Sequence, residues 1–207
     1  EGILATVEVN IARVRLEQGD VGRAVDDLDR ALARAVGAGD RIIEAEALSQ
    51  LGRAVVRANS GDDPDGEAEA LHYQSIELCE EIDHPSGVIT ALESLVELLL
   101  SAGRLDEAEE HARRAVSIAR ETEARITSVE LVEKLAELRA DSGDVDAAYR
   151  LGRWVLELHR EHAGADATRR LRTLEARHDL DQARMEAEIV RLRNVELREK
   201  SDELEHR

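Results

Sequence analysis

Along residues 1–160, small and aliphatic residues recur at helical spacing, broken by short Gly-containing turns. The repeating phrase is a small or apolar pair on one helix, a turn with Gly, then a small residue opening a second helix. It reads Ile11-Ala12, Gly19 and Ala24 in the first copy, and Leu51-Gly52, Gly61 and Ala68 in the second. The third copy has Leu95-Val96, Gly103 and Ala108, and the fourth has Leu135-Ala136, Gly143 and Ala148. The first-helix pairs lie 40, 44 and 40 residues apart, and the extra four residues fall in SGDDPDGE at 60–67, a stretch with the composition of an enlarged loop. A second shared phrase aligns ALARAVGAGDRIIEAEAL (31–48) with SIELCEEIDHPSGVITAL (75–92). A period of this size predicts stacked helical pairs, each with an apolar stripe too wide to bury alone. The copies are expected at about 5–40, 45–84, 89–124 and 129–162, forming a repeat domain over 1–162.

The tail changes period. From Asp166 to Arg207 there is no Gly or Pro, and Ala176, Ala183, Val190, Leu197 and Leu204 recur every seven residues. Leu180, Ala187, Asn194 and Ser201 stand three residues before the last four of them. Alternating three and four is the seam of a coiled coil, and Asn194 at a core position suits a two-stranded state. The tail is therefore expected to be a dimerisation helix, with Leu180, Ala183, Ala187, Val190, Asn194, Leu197 and Leu204 facing a second copy. A second stripe of Leu171, Leu174, Met185, Ile189 and Leu192 lies off that seam and could pack on the last repeat or on a partner chain. Gly164 and Asp166 offer a helix stop and start, although the helix could also run through them. A helix with no stop signal at Arg207 reads as leading into a further domain.

Composition narrows the class. Hydrophobic residues make up 43% of the 207, but aromatics only 1%, with no Phe and two prolines, Pro64 and Pro85. An aliphatic core with few helix breakers fits helix-on-helix layers, so an all-α fold is expected. The net charge is −18; the tail holds 10 Lys/Arg and 11 Asp/Glu, leaving −17 for the repeats. So acidic a body argues against nucleic-acid and anionic-membrane partners. The single Cys79 has no internal disulfide partner, which suits a reducing, cytoplasmic setting.

Candidate chemistry is sparse. His159 and His162 stand three apart on one helix but lack a third ligand, and SGDDPDG lacks the bidentate Glu of a calcium loop. No catalytic constellation or cofactor motif occurs, so the chain is expected to be a non-enzymatic segment without a cofactor. The repeat register does single out one column on the first helices: Arg13, Arg53, Glu97 and Glu137. Arg57, Glu93, Glu130, Glu133 and Asp141 are its neighbours. The column predicts a partner-binding groove, basic at one end and acidic at the other, for a peptide or protein segment. The alternative is an ordinary solvated face, in a chain of which 36% is charged.

The repeats resemble the tetratricopeptide repeat in a long form, matching at Gly19, Ala24, Gly52, Ala68, Gly103, Ala108, Gly143 and Ala148. They depart from it where the family carries large aromatics, which are mostly aliphatic here. The tail words LRTLEARHDLDQARMEAEI (171–189) and RLRNVEL (191–197) resemble the connector that follows such arrays in bacterial signalling proteins. That resemblance implies a cytoplasmic sensory and dimerisation region, most often preceding a GGDEF diguanylate cyclase domain. Less often such a region precedes a histidine kinase or another output domain. A non-enzymatic scaffold or a transcription-regulator region is the alternative.

Overall fold

A computed structural model describes residues 2–59, 63, 66–122, 129–161, 163–164 and 185. All regular structure among them is helical. The helices are α1 (Gly2–Glu17), α2 (Val21–Ala38), α3 (Arg41–Ala58), α4 (Glu67–Glu81), α5 (Pro85–Ser101), α6 (Leu105–Glu121) and α7 (Val129–Asp141). An eighth, α8, covers 145–161. The chain divides into two compact units, Glu1–His159 and Arg160–Arg207. Of the second unit, only 160–161, 163–164 and 185 are described, all of them helical. The predicted seam residues Leu180, Ala183, Ala187, Val190, Asn194, Leu197 and Leu204 lie outside the described residues.

In the first unit α1 packs on α2, α3 on α4 and α5 on α6, and α3, α5 and α7 each also pack on the even-numbered helix before them. Helices α1, α3, α5 and α7 lie side by side in that order. The core is aliphatic, as the composition requires: Leu28, Leu92, Leu95, Leu99, Leu135, Leu151 and Leu158 are its largest fully buried apolar side chains. Ala24, Ala68 and Ala108 open their helices with no exposed surface, whereas Ala148 is only half-buried. An alanine at such a crossing lets two backbones approach closely.

The repetition reaches the backbone hydrogen bonds. At the turn after α1, Gly19 N–H donates to Leu16 O, and Asp20 N–H to Arg15 O. After α5 the same two bonds join Gly103 to Leu100 and Arg104 to Leu99; after α7 they join Gly143 to Ala140 and Asp144 to Arg139. Each closes a helix by turning one residue left-handed, with φ of 81°, 71° and 85° at the three glycines. In all three copies the alanine that follows then donates to the residue just after the glycine. The turns between pairs also match: Gly39 has φ 69° and Asp83, its counterpart 44 residues on, has φ 52°. Asp40 N–H donates to Ala35 O at 2.9 Å, and His84 N–H to Cys79 O at 2.8 Å. The enlarged loop uses another device. The Asp63 carboxylate accepts from Ala68 N–H at 3.1 Å and Glu69 N–H at 3.0 Å, capping α4.

Candidate binding groove

The face of α1, α3 and α5 carries two neighbouring cavities that share Arg53. The larger, about 340 Å³, is lined by Arg13 of α1, by Ile42, Ala45, Glu46, Ser49, Gln50 and Arg53 of α3, and by Ser86, Gly87 and Thr90 of α5. Ser75 and Cys79 of α4 and His84 complete it. Ser49 and Gln50 are only 4% and 6% exposed, yet the Ser49 Oγ and the Gln50 Oε1 have no hydrogen-bond partner among the described residues. Buried polar atoms are nearly always satisfied, and leaving one unmade costs about 1–3 kcal/mol. Two in adjacent residues, both lining one cavity, mark a place where an incoming group can supply the missing bonds.

Two of the hydroxyls there are already committed. The Ser75 hydroxyl donates to Ala45 O at 2.7 Å and the Thr90 hydroxyl to Ser86 O at 3.0 Å. Burial pushes the Cys79 thiol above its ordinary value, which removes it as a ready nucleophile. Gly87 is required beside it: a Cβ there would stand 2.5 Å from Cys79 Sγ and from the His84 ring. Arg13 holds its own neighbour, donating to Asn10 Oδ1 at 2.9 Å. Arg53 has no ion-pair partner among the described residues, so its guanidinium is available to a ligand.

The smaller cavity, about 140 Å³, is lined by Arg53, Val56, Arg57, His72, Ser94, Glu97, Leu98 and Ser101. Arg57 is part of the framework, donating from Nη1 to the Leu16 carbonyl. Burial, reinforced by Arg53 and opposed by Asp63, lowers the pKa of His72 to about 4, so the ring is neutral. Its Nδ1 is another buried atom without a hydrogen-bond partner among the described residues.

Among the predicted groove residues, Arg13 and Arg53 thus line one cavity, and Arg53, Arg57 and Glu97 line the next. Glu97 faces the same cavity as the two arginines, so the charge changes sign within a single cavity. Glu93, half-buried, lines neither. Glu130 and Glu137 on α7 are exposed and line neither, as does Asp141. The Glu133 Oε1 accepts from the His159 ring Nε2 at 2.8 Å. The α7 residues of the column therefore line neither of these two cavities. Among the described residues no group of His, Cys, Asp and Glu could hold a metal ion, and no helix is long and apolar enough to cross a membrane.

Ser49 and Gln50 were not singled out by sequence, although a signal existed. Ser49 stands at the register position of Glu93 and Glu133, and the Ser-Gln pair interrupts a short apolar run, between Ala47-Leu48 and Leu51-Gly52.

No family model matches the chain, and no curated protein matches it either.

Proposed function

We propose that this chain is a binding module in which stacked helical pairs capture a segment of another protein on the face of α1, α3 and α5. The observation that carries this reading is the cavity between Arg13 and Arg53, with the unpartnered Ser49 Oγ and Gln50 Oε1 in its lining. An extended peptide brings backbone N–H and C=O groups that can satisfy both atoms, and acidic side chains that the two guanidinium groups attract. Glu46 and Glu97, at the two cavities, disfavour a uniformly acidic ligand and favour one of mixed charge.

The test is a fluorescence binding screen of the chain against an array of extended peptides that vary in charge pattern. Ser49→Ala, Gln50→Leu and Arg53→Glu are measured beside the wild type. Peptides with an acidic residue should bind, and each substitution should weaken binding about tenfold or more, matching the loss of one buried or charged bond. Binding that ignores all three substitutions would place the ligand elsewhere.

The role of such a module in signalling rests on the resemblance of 171–189 and 191–197 to a signalling connector. On that reading, captured partners alter the pairing of the tail and so the activity of a downstream output domain, a diguanylate cyclase first among them. A cross-linking comparison of the tail with and without a bound peptide tests it. Unchanged tail pairing on ligand binding would exclude the coupling.

A further inference from the structure

Buried polarity is concentrated on one face of the repeats. Among the described residues the buried polar or charged side chains are Asp27, Ser49, Gln50, His72, Ser75 and Ser94. Asp27 is paired with Arg15 and Arg30. The other five all line the two groove cavities: Ser49, Gln50 and Ser75 the larger, His72 and Ser94 the smaller. An acidic residue of a captured segment belongs in the larger cavity, between Arg13 and Arg53. The smaller cavity offers a different set of groups.

Arg53 of α3 and Glu97 of α5 line the smaller cavity together, yet they do not pair with each other, and neither has another ion-pair partner among the described residues. Elsewhere such charges meet across neighbouring helices: Arg114 of α6 pairs with Glu80 of α4, and Arg139 of α7 with Asp106 of α6. His72 lines the same cavity, is 1% exposed, and has the unpartnered Nδ1. Its ring is neutral, so that nitrogen is an acceptor or a donor according to the tautomer. A cavity of about 140 Å³ takes the end of one side chain. A carboxylate there would accept from Arg53 but stand against Glu97. An ammonium would suit Glu97 but stand against Arg53 and Arg57. A primary carboxamide carries an acceptor oxygen and two N–H donors on one planar group. It can accept from Arg53, donate to Glu97 and serve the His72 Nδ1 in either tautomer.

We propose that the smaller cavity is a subsite for the side-chain carboxamide of an Asn or Gln in the captured segment, with Arg53 donating to its oxygen and Glu97 accepting from its nitrogen. Glu97 then sets specificity, because it bonds the amide and repels the carboxylate of the same shape. The inference rests on the reading that a peptide segment lies on this face. It also fixes a spacing. Ser49 of the larger cavity and Arg57 of the smaller stand eight residues apart on α3. That is about 12 Å along the helix axis, which an extended chain covers in about four residues. The acidic residue and the amide thus stand about four apart, on one side of the extended segment.

The experiment uses the full 207-residue chain and short fluorescent peptides. Each peptide carries one Asp and, about four residues to either side, Gln, Glu or Ala. The Gln peptides should bind about tenfold more tightly than their Glu and Ala counterparts. Glu97 is exposed, so Glu97→Gln should leave melting unchanged while abolishing or reversing the preference for Gln over Glu. Ser49→Ala should weaken all three peptides alike. Peptides that depend on Ser49 and Arg53 but bind equally with Gln, Glu or Ala overturn the subsite and leave the peptide-binding reading standing. A lower melting temperature in Glu97→Gln also overturns it, because Glu97 would then be paired in the free chain. A second arm needs no peptide. The His72 ring is followed by NMR, its signal assigned by its loss in His72→Gln, while propanamide or propanoate is added. Propanamide should shift the signal in wild type, and much less in Glu97→Gln, and propanoate should shift it less. If no peptide binds, that selective shift retains the carboxamide subsite and rejects a peptide as its occupant, and a signal that propanamide leaves unmoved overturns the subsite as well.

Discussion

Gly52 of α3 lies directly against the ring of His72 on α4. A Cβ at position 52 would stand 2.8 Å from both His72 Cε1 and Nε2, and 3.1 Å from the Ala68 carbonyl oxygen. The glycine is thus the space in which the imidazole sits, and the two residues set how closely the second helical pair can close.

Gly52→Ala should therefore be destabilising in spite of alanine's better helix propensity. The propensity gain is about 1 kcal/mol, while overpacking against a buried ring and a backbone carbonyl costs about 1–3 kcal/mol, for a net loss of up to about 2 kcal/mol. In a His72→Ala background the same change should be neutral or stabilising. Chemical denaturation of the four proteins in this cycle measures the coupling, and strictly additive effects would contradict the contact.

His72 also predicts a pH dependence. Its folded pKa, about 4, lies below the ordinary 6.5, so between these values the unfolded chain binds a proton that the folded chain refuses. Stability contributed by the neutral ring is complete above pH 6.5, declines as pH falls toward about 4, and changes no further below that. A difference of this size corresponds to about 3 kcal/mol. His72→Gln should flatten the pH dependence of the denaturation midpoint in this window. An unaltered slope would show that other groups carry it. The Glu107 carboxyl, held below its usual range by its bond to Arg104, acts in a lower window.

Arg53 and Arg57 stand one turn apart on α3 and share a cavity, but they should behave oppositely. Arg57 donates to the Leu16 carbonyl near the end of α1, an oxygen that also accepts from Gly19 N–H, at the negative helix end where a cation is favoured. Arg57→Ala should cost about 0.5–1.5 kcal/mol of stability. Arg53→Ala should change stability by less than about 0.5 kcal/mol and act on ligand binding instead. Thermal denaturation of the two single variants decides between framework and binding roles. Equal losses would contradict the division.

How far the sequence carried depended on the distance over which each feature is encoded. The turns were legible because their chemistry is local: Gly19, Gly103 and Gly143 are the left-handed residues that close α1, α5 and α7. The alignment of 31–48 with 75–92 placed Asp83 opposite Gly39, and both have positive φ. The repeat register also places Arg13 and Arg53 on corresponding turns, and both line one cavity. The bond between Arg57 and Leu16 was not, because it joins residues 41 positions apart and depends on how α3 lies against α1. The unpartnered state of Ser49 and Gln50 was equally hidden. It is a property of what surrounds them, and the residue types alone suggest only polarity.

The final prediction concerns the alanine column itself. Ala108 is fully buried at the start of α6, while Ala148, at the same place in α8, is half-buried. A leucine adds three carbons, which the crossing at Ala108 has no room for and the opening at Ala148 does. Ala108→Leu should cost about 1–3 kcal/mol through overpacking, and Ala148→Leu should cost less. Denaturation of both variants in parallel provides its own control, because substitution type and helix position are identical. If Ala108→Leu leaves the melting temperature unchanged, the close approach of α5 and α6 at that residue is wrong.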